Sequence, residues 1–181
     1  MRKVVSSLYI SLDGVTSSPE KWQFDHFDPG VMASLGASVA SQDSVLLGRV
    51  TYEEWAAFWP TSRNEPFATF INQTPKYVVS RTLKNVEWAN STLVKEPLKD
   101  AVQKLKQQAG KDIGVAGSVT LVQSLLQEDL LDELTLMVHP VIVGTGRQFF
   151  REAQAPKRLR LTGSQVTPTG VAILTYQPRN G

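Results

Sequence analysis

From Lys3 to Leu12 the chain places Leu8, Ile10 and Leu12 on one face, the period-2 pattern of a strand. Asp13-Gly14 ends it, and a loop rich in Ser, Pro and aromatic residues runs on to Asp28. Asp28-Pro29 predicts an N-cap with proline at the first helical position. Met32, Leu35 and Val39 then recur at helical spacing to about Ser41. Ser44 to Leu47 reads as a short buried strand. After it, Thr51 and Glu54 match a capping box for a helix carrying Trp55, Phe58 and Trp59, of which Trp55 and Phe58 are expected in the core. Lys76 to Ser80 is a further strand, and Val86 to Ala89 a candidate for another. Pro97 opens a helix with Leu98, Ala101, Val102 and Leu105 on one stripe, with Gly110 past its end. Ile113 to Ala116 predicts a strand, Gly117-Ser118 a turn and Val119 to Gln127 a helix. Leu134, Leu136 and Val138 alternate in the next strand. Leu159 and Leu161 mark the penultimate one, and Val171 to Gln177 the last, with a type I turn at Thr167-Pro168-Thr169-Gly170.

Strands separated by helices pair in parallel through crossovers, and the closing run of strands predicts an antiparallel edge. No linker, repeat or break in composition divides the chain. The expectation is one α/β domain over residues 1–181 with a mixed, mostly parallel sheet.

Composition narrows the chemistry. Cysteine is absent, which removes disulfides and a thiolate nucleophile, and two histidines, His26 and His139, are too few for a His-rich metal site; no metal is expected. A net charge of +2 is too small for a nucleic-acid surface. The N-terminal Met1-Arg2-Lys3 is followed by Ser6, Ser7, Ser11 and Asp13, which interrupt any signal-peptide core. No run approaches the roughly 18 apolar residues of a membrane span. The expected compartment is the cytoplasm. A hydrolase is disfavoured, because no GxSxG elbow frames a nucleophile and no HExxH is present.

Three strand ends carry the informative residues, since ligands of open α/β sheets gather outside the carboxyl ends of the strands. Leu47-Gly48-Arg49-Val50-Thr51 joins a strand to a helix N-terminus whose free N–H groups suit phosphate, with Arg49 adding a charge; it also reads as a plain turn with a surface Arg. Ala116-Gly117-Ser118-Val119-Thr120 repeats the design, or is a compact loop that needs glycine for packing. Ser80-Arg81 offers a hydroxyl and a guanidinium suited to a ribose 2′-phosphate, or a solvated Arg after a strand. Gly144-Thr145-Gly146 lacks the third glycine of the dinucleotide fingerprint and reads as a turn.

In this order, the segments resemble a known group. Leu47-Gly48-Arg49-x-Thr51-Tyr52-Glu53 is similar to the Gly-Arg-x-Thr-aromatic-Glu motif of dihydrofolate reductases. Ser11-Leu12-Asp13-Gly14, Leu130-Leu131-Asp132-Glu133-Leu134 and Pro140-Val141-Ile142-Val143-Gly144-x-Gly146 resemble the riboflavin-pathway reductase domain, the C-terminal part of the bifunctional deaminase-reductase. The resemblance spans almost the whole chain. It implies a dihydrofolate reductase-like three-layer fold, NADPH as cofactor, reduction of a small molecule and a homodimer. By matching position, Gly48, Arg49 and Thr51 would hold cofactor phosphates and Ser80 and Arg81 the adenosine end. Gly117, Ser118, Val119 and Thr120 would line the pyrophosphate and nicotinamide side. Two departures stand out: Ala116-Gly117 replaces a frequent Gly-Gly pair, and Val115 stands where many riboflavin-pathway reductases have Glu.

Hydride transfer needs a proton source on the substrate side. That proton comes from the protein directly or through water; Asp13 is the first candidate for a substrate-side polar group, though Asp13-Gly14 also reads as a strand terminator, and Asp25 and Asp28 are the other acids of this region. Trp22, Phe24 and Phe27 either stack on a flat substrate as a lid or anchor their loop to the core. The leading expectation is an NADPH-dependent oxidoreductase of a pteridine- or pyrimidine-like compound. The alternatives are a 5-amino-6-(5-phosphoribosylamino)uracil reductase of riboflavin biosynthesis and a catalytically silent nucleotide-binding protein.

Overall fold

The computed structural model describes residues 1–150 and 156–179. Eight strands form one sheet: β1 Val4–Ser11, β2 Gln42–Gly48, β3 Lys76–Val79, β4 Ser91–Val94, β5 Asp112–Gly117, β6 Glu133–His139, β7 Leu159–Val166 and β8 Ala172–Pro178. Five helices connect them: α1 Pro29–Ala40, α2 Arg49–Phe58, α3 Phe67–Gln73, α4 Leu98–Gln107 and α5 Val119–Gln127. The strand order is β4-β3-β2-β5-β1-β6-β8-β7. The first six run parallel, and β8 and β7 add antiparallel pairs at one edge.

The central strands are apolar on both faces, as a sheet covered on both sides requires. Leu8, Ile10, Leu46, Ile113, Val115 and Leu136 pack against α4 and α5. On the other face, Val45, Leu47 and Val78 pack with Tyr52 of α2 and Ile71 of α3, while Met137 and Ile173 meet Val31 of α1. The stripe predicted for α4 buries Ala101, Val102 and Leu105, and α5 buries Leu121, Val122 and Leu125. Each such side chain contributes about 1.5–3 kcal/mol when fully buried, so these two helices are held by their apolar faces rather than by caps.

Several expectations change. Leu12 is 63% exposed, because β1 ends at Ser11 and the chain turns there. Helix α2 begins one turn earlier than a Thr51 capping box requires: Gly48 is its N-cap, and Thr51 lies inside the first turn. Phe58 is half-exposed; α2 ends there, and the 3-10 turn Trp59–Thr61 carries Trp59 toward Phe67 in its place. No strand forms at Val86–Ala89. The N–H groups of Glu87 and Trp88 both donate to the Tyr52 hydroxyl, and the Trp88 indole donates to Asn72, so this segment is a buried turn and β4 starts after it. Met32 of α1 is also exposed; Val31 is the buried residue of that helix. Helix α3, preceded by the cis Glu65–Pro66 bond, has no counterpart in the apolar pattern.

Candidate active site

Because β3, β2, β5, β1 and β6 run parallel, their carboxyl ends share one side of the sheet. The sequence-derived residues therefore line up in order: Ser80 and Arg81 beyond β3, Gly48 to Thr51 at β2, Gly117 to Thr120 at β5 and Asp13 beyond β1. From β3 to β1 is three strand spacings, roughly 14 Å.

At the centre two helix N-termini meet. A Cβ on Gly48 would fall 2.6 Å from Ser118 Oγ and 2.9 Å from Ser118 N, and one on Gly117 would fall 2.7 Å from Thr51 Oγ1. Only glycines let the β2–α2 and β5–α5 turns approach this closely, and Gly117 has φ +138° in addition. The Gly117–Ser118 peptide is cis. Helix α2 has no side-chain cap, and in α5 Leu121 N donates to the Ser118 hydroxyl at 3.4 Å, which leaves the other first-turn N–H groups of the two helices without side-chain acceptors. That is the donor set a pyrophosphate needs. Val119 is half-buried and Thr120 exposed at the mouth of this pair. Arg49 donates to Glu53 at 2.7 Å, an exposed pair of about 0.3–0.5 kcal/mol that a phosphate readily displaces.

At the β3 end, Ser80 is buried, and its Oγ accepts from the N–H groups of Thr82 and Leu83, which holds the turn; Arg81 is exposed beside it. Among the described residues Arg81 makes no ion pair.

Asp13 occupies the rim of a groove of about 350 Å³ whose walls include Ile10, Leu136, Gln148 and Phe150. Its carboxylate accepts from the Ser11 hydroxyl at 2.6 Å and from Val143 N and Gly144 N at 3.1 and 2.8 Å. These donors, Ser11 foremost, hold its pKa down to about 2. Asp13 is therefore ionised at neutral pH and has no proton to donate. It ties the end of β1 to the 141–149 segment, where Leu12 N donates to Val141 O, Thr16 N to Arg147 O and Phe149 N to Gly14 O. Gly144 and Gly146, at φ +80° and +134°, make the turn read from their spacing.

Asp28 is the N-cap of α1, accepting from Gly30 N and Val31 N, and it also takes Thr169 N and Oγ1. Burial pushes its pKa up, but the Val31 and Thr169 N–H groups and the threonine hydroxyls outweigh that and hold it below the usual carboxylate range. Asp25 is exposed on a 3-10 turn. The aromatic loop splits. Trp22 is half-buried, donates from Nε1 to Ser17 O and meets His139 edge-on; Phe27 packs on Tyr9; Phe24 is 64% exposed.

In the sequence His139 is marked only as one of two histidines. It lies at the end of β6 on the α1 face, fully buried, with both ring nitrogens unpartnered. Burial and the neighbouring His26 push its pKa down, and Asp28 partly opposes them. Its position as the last odd-numbered residue of β6, inward like Met137, is the signal that could have marked it. Among the described residues no group of three His, Cys, Asp or Glu could hold a metal, and no helix is long and apolar enough to cross a membrane.

A mixed sheet in this order, with two strand-to-helix turns abutting at the carboxyl ends of β2 and β5, defines a dihydrofolate reductase-like fold. Within that class the chain belongs to the RibD C-terminal domain family, whose sequence profile matches residues 2–173. Two Bacillus subtilis proteins described as uncharacterised are similar along their lengths: YyaP, 25% identical over 97% of this chain and 94% of its own, and YwjB, 29% identical over 91% of each. Among solved structures, a proposed riboflavin biosynthesis protein of Shewanella sp. PV-4 superposes with a TM-score of 0.78 at 21% identity, covering 98% of this chain and 99% of its own. A pyrimidine reductase-like protein of Corynebacterium diphtheriae gives 0.72 at 14%, covering 99% and 93%. The diaminohydroxyphosphoribosylaminopyrimidine deaminase/5-amino-6-(5-phosphoribosylamino)uracil reductase of Thermotoga maritima gives 0.71 at 11%, covering 98% of this chain and 57% of its own.

Proposed function

We propose that this protein is an NADPH-dependent reductase that delivers hydride to a small, flat heteroaromatic compound of the pyrimidine or pteridine type. The observation that carries the reading is the pair of abutting helix N-termini, Gly48–Thr51 against Gly117–Ser118, in line with Ser80-Arg81 on one side and Asp13 on the other.

The donor set fits the cofactor. N–H groups at the starts of α2 and α5, with Arg49, Thr51, Ser118, Val119 and Thr120 around them, would hold the pyrophosphate. Arg81 beside Ser80 would hold the 2′-phosphate, the group that separates NADPH from NADH. When bound, the cofactor supplies the hydride; the protein's share is position and charge. The substrate would lie at the end of β1, with Asp13 on one side and the Trp22–Phe27 loop on the other. Since Asp13 is ionised and clamped, it shapes the rim, and the proton that accompanies hydride comes through water. The pyrimidine character of the substrate is supported by the relatives' descriptions, not by a residue of this chain; Val115 argues against transferring the riboflavin intermediate itself.

The test is thermal stabilisation by NADPH and by NADH, in the wild type and in Arg81→Ala. Ligand at about a hundred times its dissociation constant adds roughly 2.7 kcal/mol to the folded state, a visible rise in Tm. A larger effect of NADPH that Arg81→Ala erases is the expected result. No stabilisation by either nucleotide would sink the reading.

A further inference from the structure

Within and beneath the aromatic loop lie buried polar atoms that nothing among the described residues satisfies. Both ring nitrogens of His139, Nδ1 of His26 and Oε1 of Gln23 lack a hydrogen-bond partner among the described residues. His139 is fully buried and Gln23 nearly so. Aromatic rings surround them: Trp22 and Tyr9 meet the His139 ring edge-on at 5.5 and 5.8 Å, and the His26 ring lies 6.3 Å away. Folded proteins pair nearly all buried polar groups with protein, water or ligand, because an unpaired one keeps its full desolvation cost. Three such atoms on two neighbouring imidazoles, with Gln23 on the same short turn as His26, point to a guest.

The place is specific. His139 is the register partner of Ser11, one strand from the Asp13 end of β1 and two from the Gly117 turn of β5. The chemistry is specific too. A neutral imidazole presents one donor and one acceptor, a second imidazole can present either at Nδ1, and the Gln23 carbonyl oxygen accepts. Flat rings flank these groups. The matching guest is a planar, uncharged heterocycle whose edge alternates N–H and C=O or ring nitrogen. The cover is light enough to admit one: loop residues 17–28 hold two single-turn 3-10 helices, and among the described residues the Trp22 side chain makes one hydrogen bond, Nε1 to Ser17 O at 3.1 Å.

We infer that His139, His26 and Gln23 form the recognition pocket for the polar edge of the heterocyclic substrate, with Trp22 as the cover that closes over it. The inference rests on the reductase reading for the word substrate; the binding itself does not depend on it. It makes His139 and Gln23 specificity-determining residues and leaves the cofactor to the α2 and α5 N-termini.

Pterin, lumazine and uracil serve as probes, titrated into wild type, His139→Leu and Gln23→Leu, each with and without NADPH, with Tm and Trp fluorescence as readouts. Trp22→Phe identifies the signal from Trp22. At least one probe should raise Tm and quench Trp22. Each Leu variant should weaken that probe by about tenfold or more, the loss expected for one hydrogen bond of ordinary strength, while NADPH stabilisation stays unchanged. Both Leu variants should fold, and His139→Leu should melt higher than the wild type without ligand, since it removes two unpaired nitrogens. Three outcomes overturn the inference: no probe binds, binding survives both Leu variants, or the Leu variants lose NADPH and probe together. Failure of NADPH alone, with probe binding intact, would instead overturn the cofactor reading.

Discussion

Lys76 opens β3 with its side chain fully buried, and its behaviour with pH can be worked from its surroundings. The ammonium donates to Ile71 O and Thr74 O at 2.8 and 2.9 Å, close to the end of α3, and sits 4.4 Å from the centre of the Trp88 ring. Carbonyls at a helix C-terminus and an aromatic face both favour a cation. Burial opposes them and pushes the pKa from 10.5 down to about 8. The unfolded chain therefore binds more protons than the folded one between pH 8 and 10.5, so stability rises with pH across that window. At roughly 1.4 kcal/mol per pH unit, the gain is about 3 kcal/mol. The perturbation is Lys76→Met, which keeps the stem and removes the titration. Urea unfolding of both proteins, from neutral pH to pH 10.5, gives the difference in unfolding free energy. Groups that titrate in both cancel, including Tyr9, whose pKa burial raises to about 12 and whose contribution falls as pH climbs past its unfolded value. The wild type should gain on Lys76→Met by about 3 kcal/mol over the window. A difference that stays flat would refute the reasoning, by showing that the carbonyls and Trp88 fully offset the desolvation.

Gly48→Ala should force the β2–α2 and β5–α5 turns apart and remove most of the NADPH-induced rise in Tm. The control Gly36→Ala, with open space around it in α1, should keep that rise and add about 0.5–1 kcal/mol of stability. Asp28→Asn should lower Tm at neutral pH. Because the folded carboxylate titrates below its unfolded value of 3.8, the gap from wild type should close as pH falls through that value and below; a gap that persists in acid would refute the charge-based account. Edge strand β7 exposes Leu161 and Val166, and the homodimer expected from the resemblance would have an apolar contact there. Sedimentation should then show a dimer that the double variant Leu161→Lys, Val166→Lys converts to monomer, and a monomeric wild type at high concentration would remove that expectation.

The elements that were legible were those whose local chemistry and burial agree. Asp28-Pro29 caps α1 in the structure as it does on paper, since the cap is a contact between near neighbours. The α4 and α5 stripes are buried where their spacing puts them, because each helix packs against the sheet along one face. The readings that changed were decided by distant partners. Val86–Ala89 has strand-like residues, yet Tyr52, more than thirty positions away, takes its N–H groups and makes it a turn. Thr51 looked like a cap, but the strand before it runs on to Gly48 and the helix starts there.

For the site, the sequence alone determined which strand ends carry glycines, hydroxyls and guanidinium groups, because a strand–Gly–helix junction is a local pattern. Tertiary structure decided that those junctions are neighbours: the order β3-β2-β5-β1 interleaves segments far apart in the chain and presses Gly48 against Ser118. It also decided what the acids do. The Ser11 hydroxyl that lowers the Asp13 pKa most is a local partner, but the Val143 and Gly144 N–H groups that clamp the carboxylate in place are brought to it only by the fold. His139 is the extreme case. A lone histidine in a strand has no readable role until β1, β6 and the loop over them close around it and leave its two nitrogens without a partner among the described residues, beside the rings of Tyr9, Trp22 and His26.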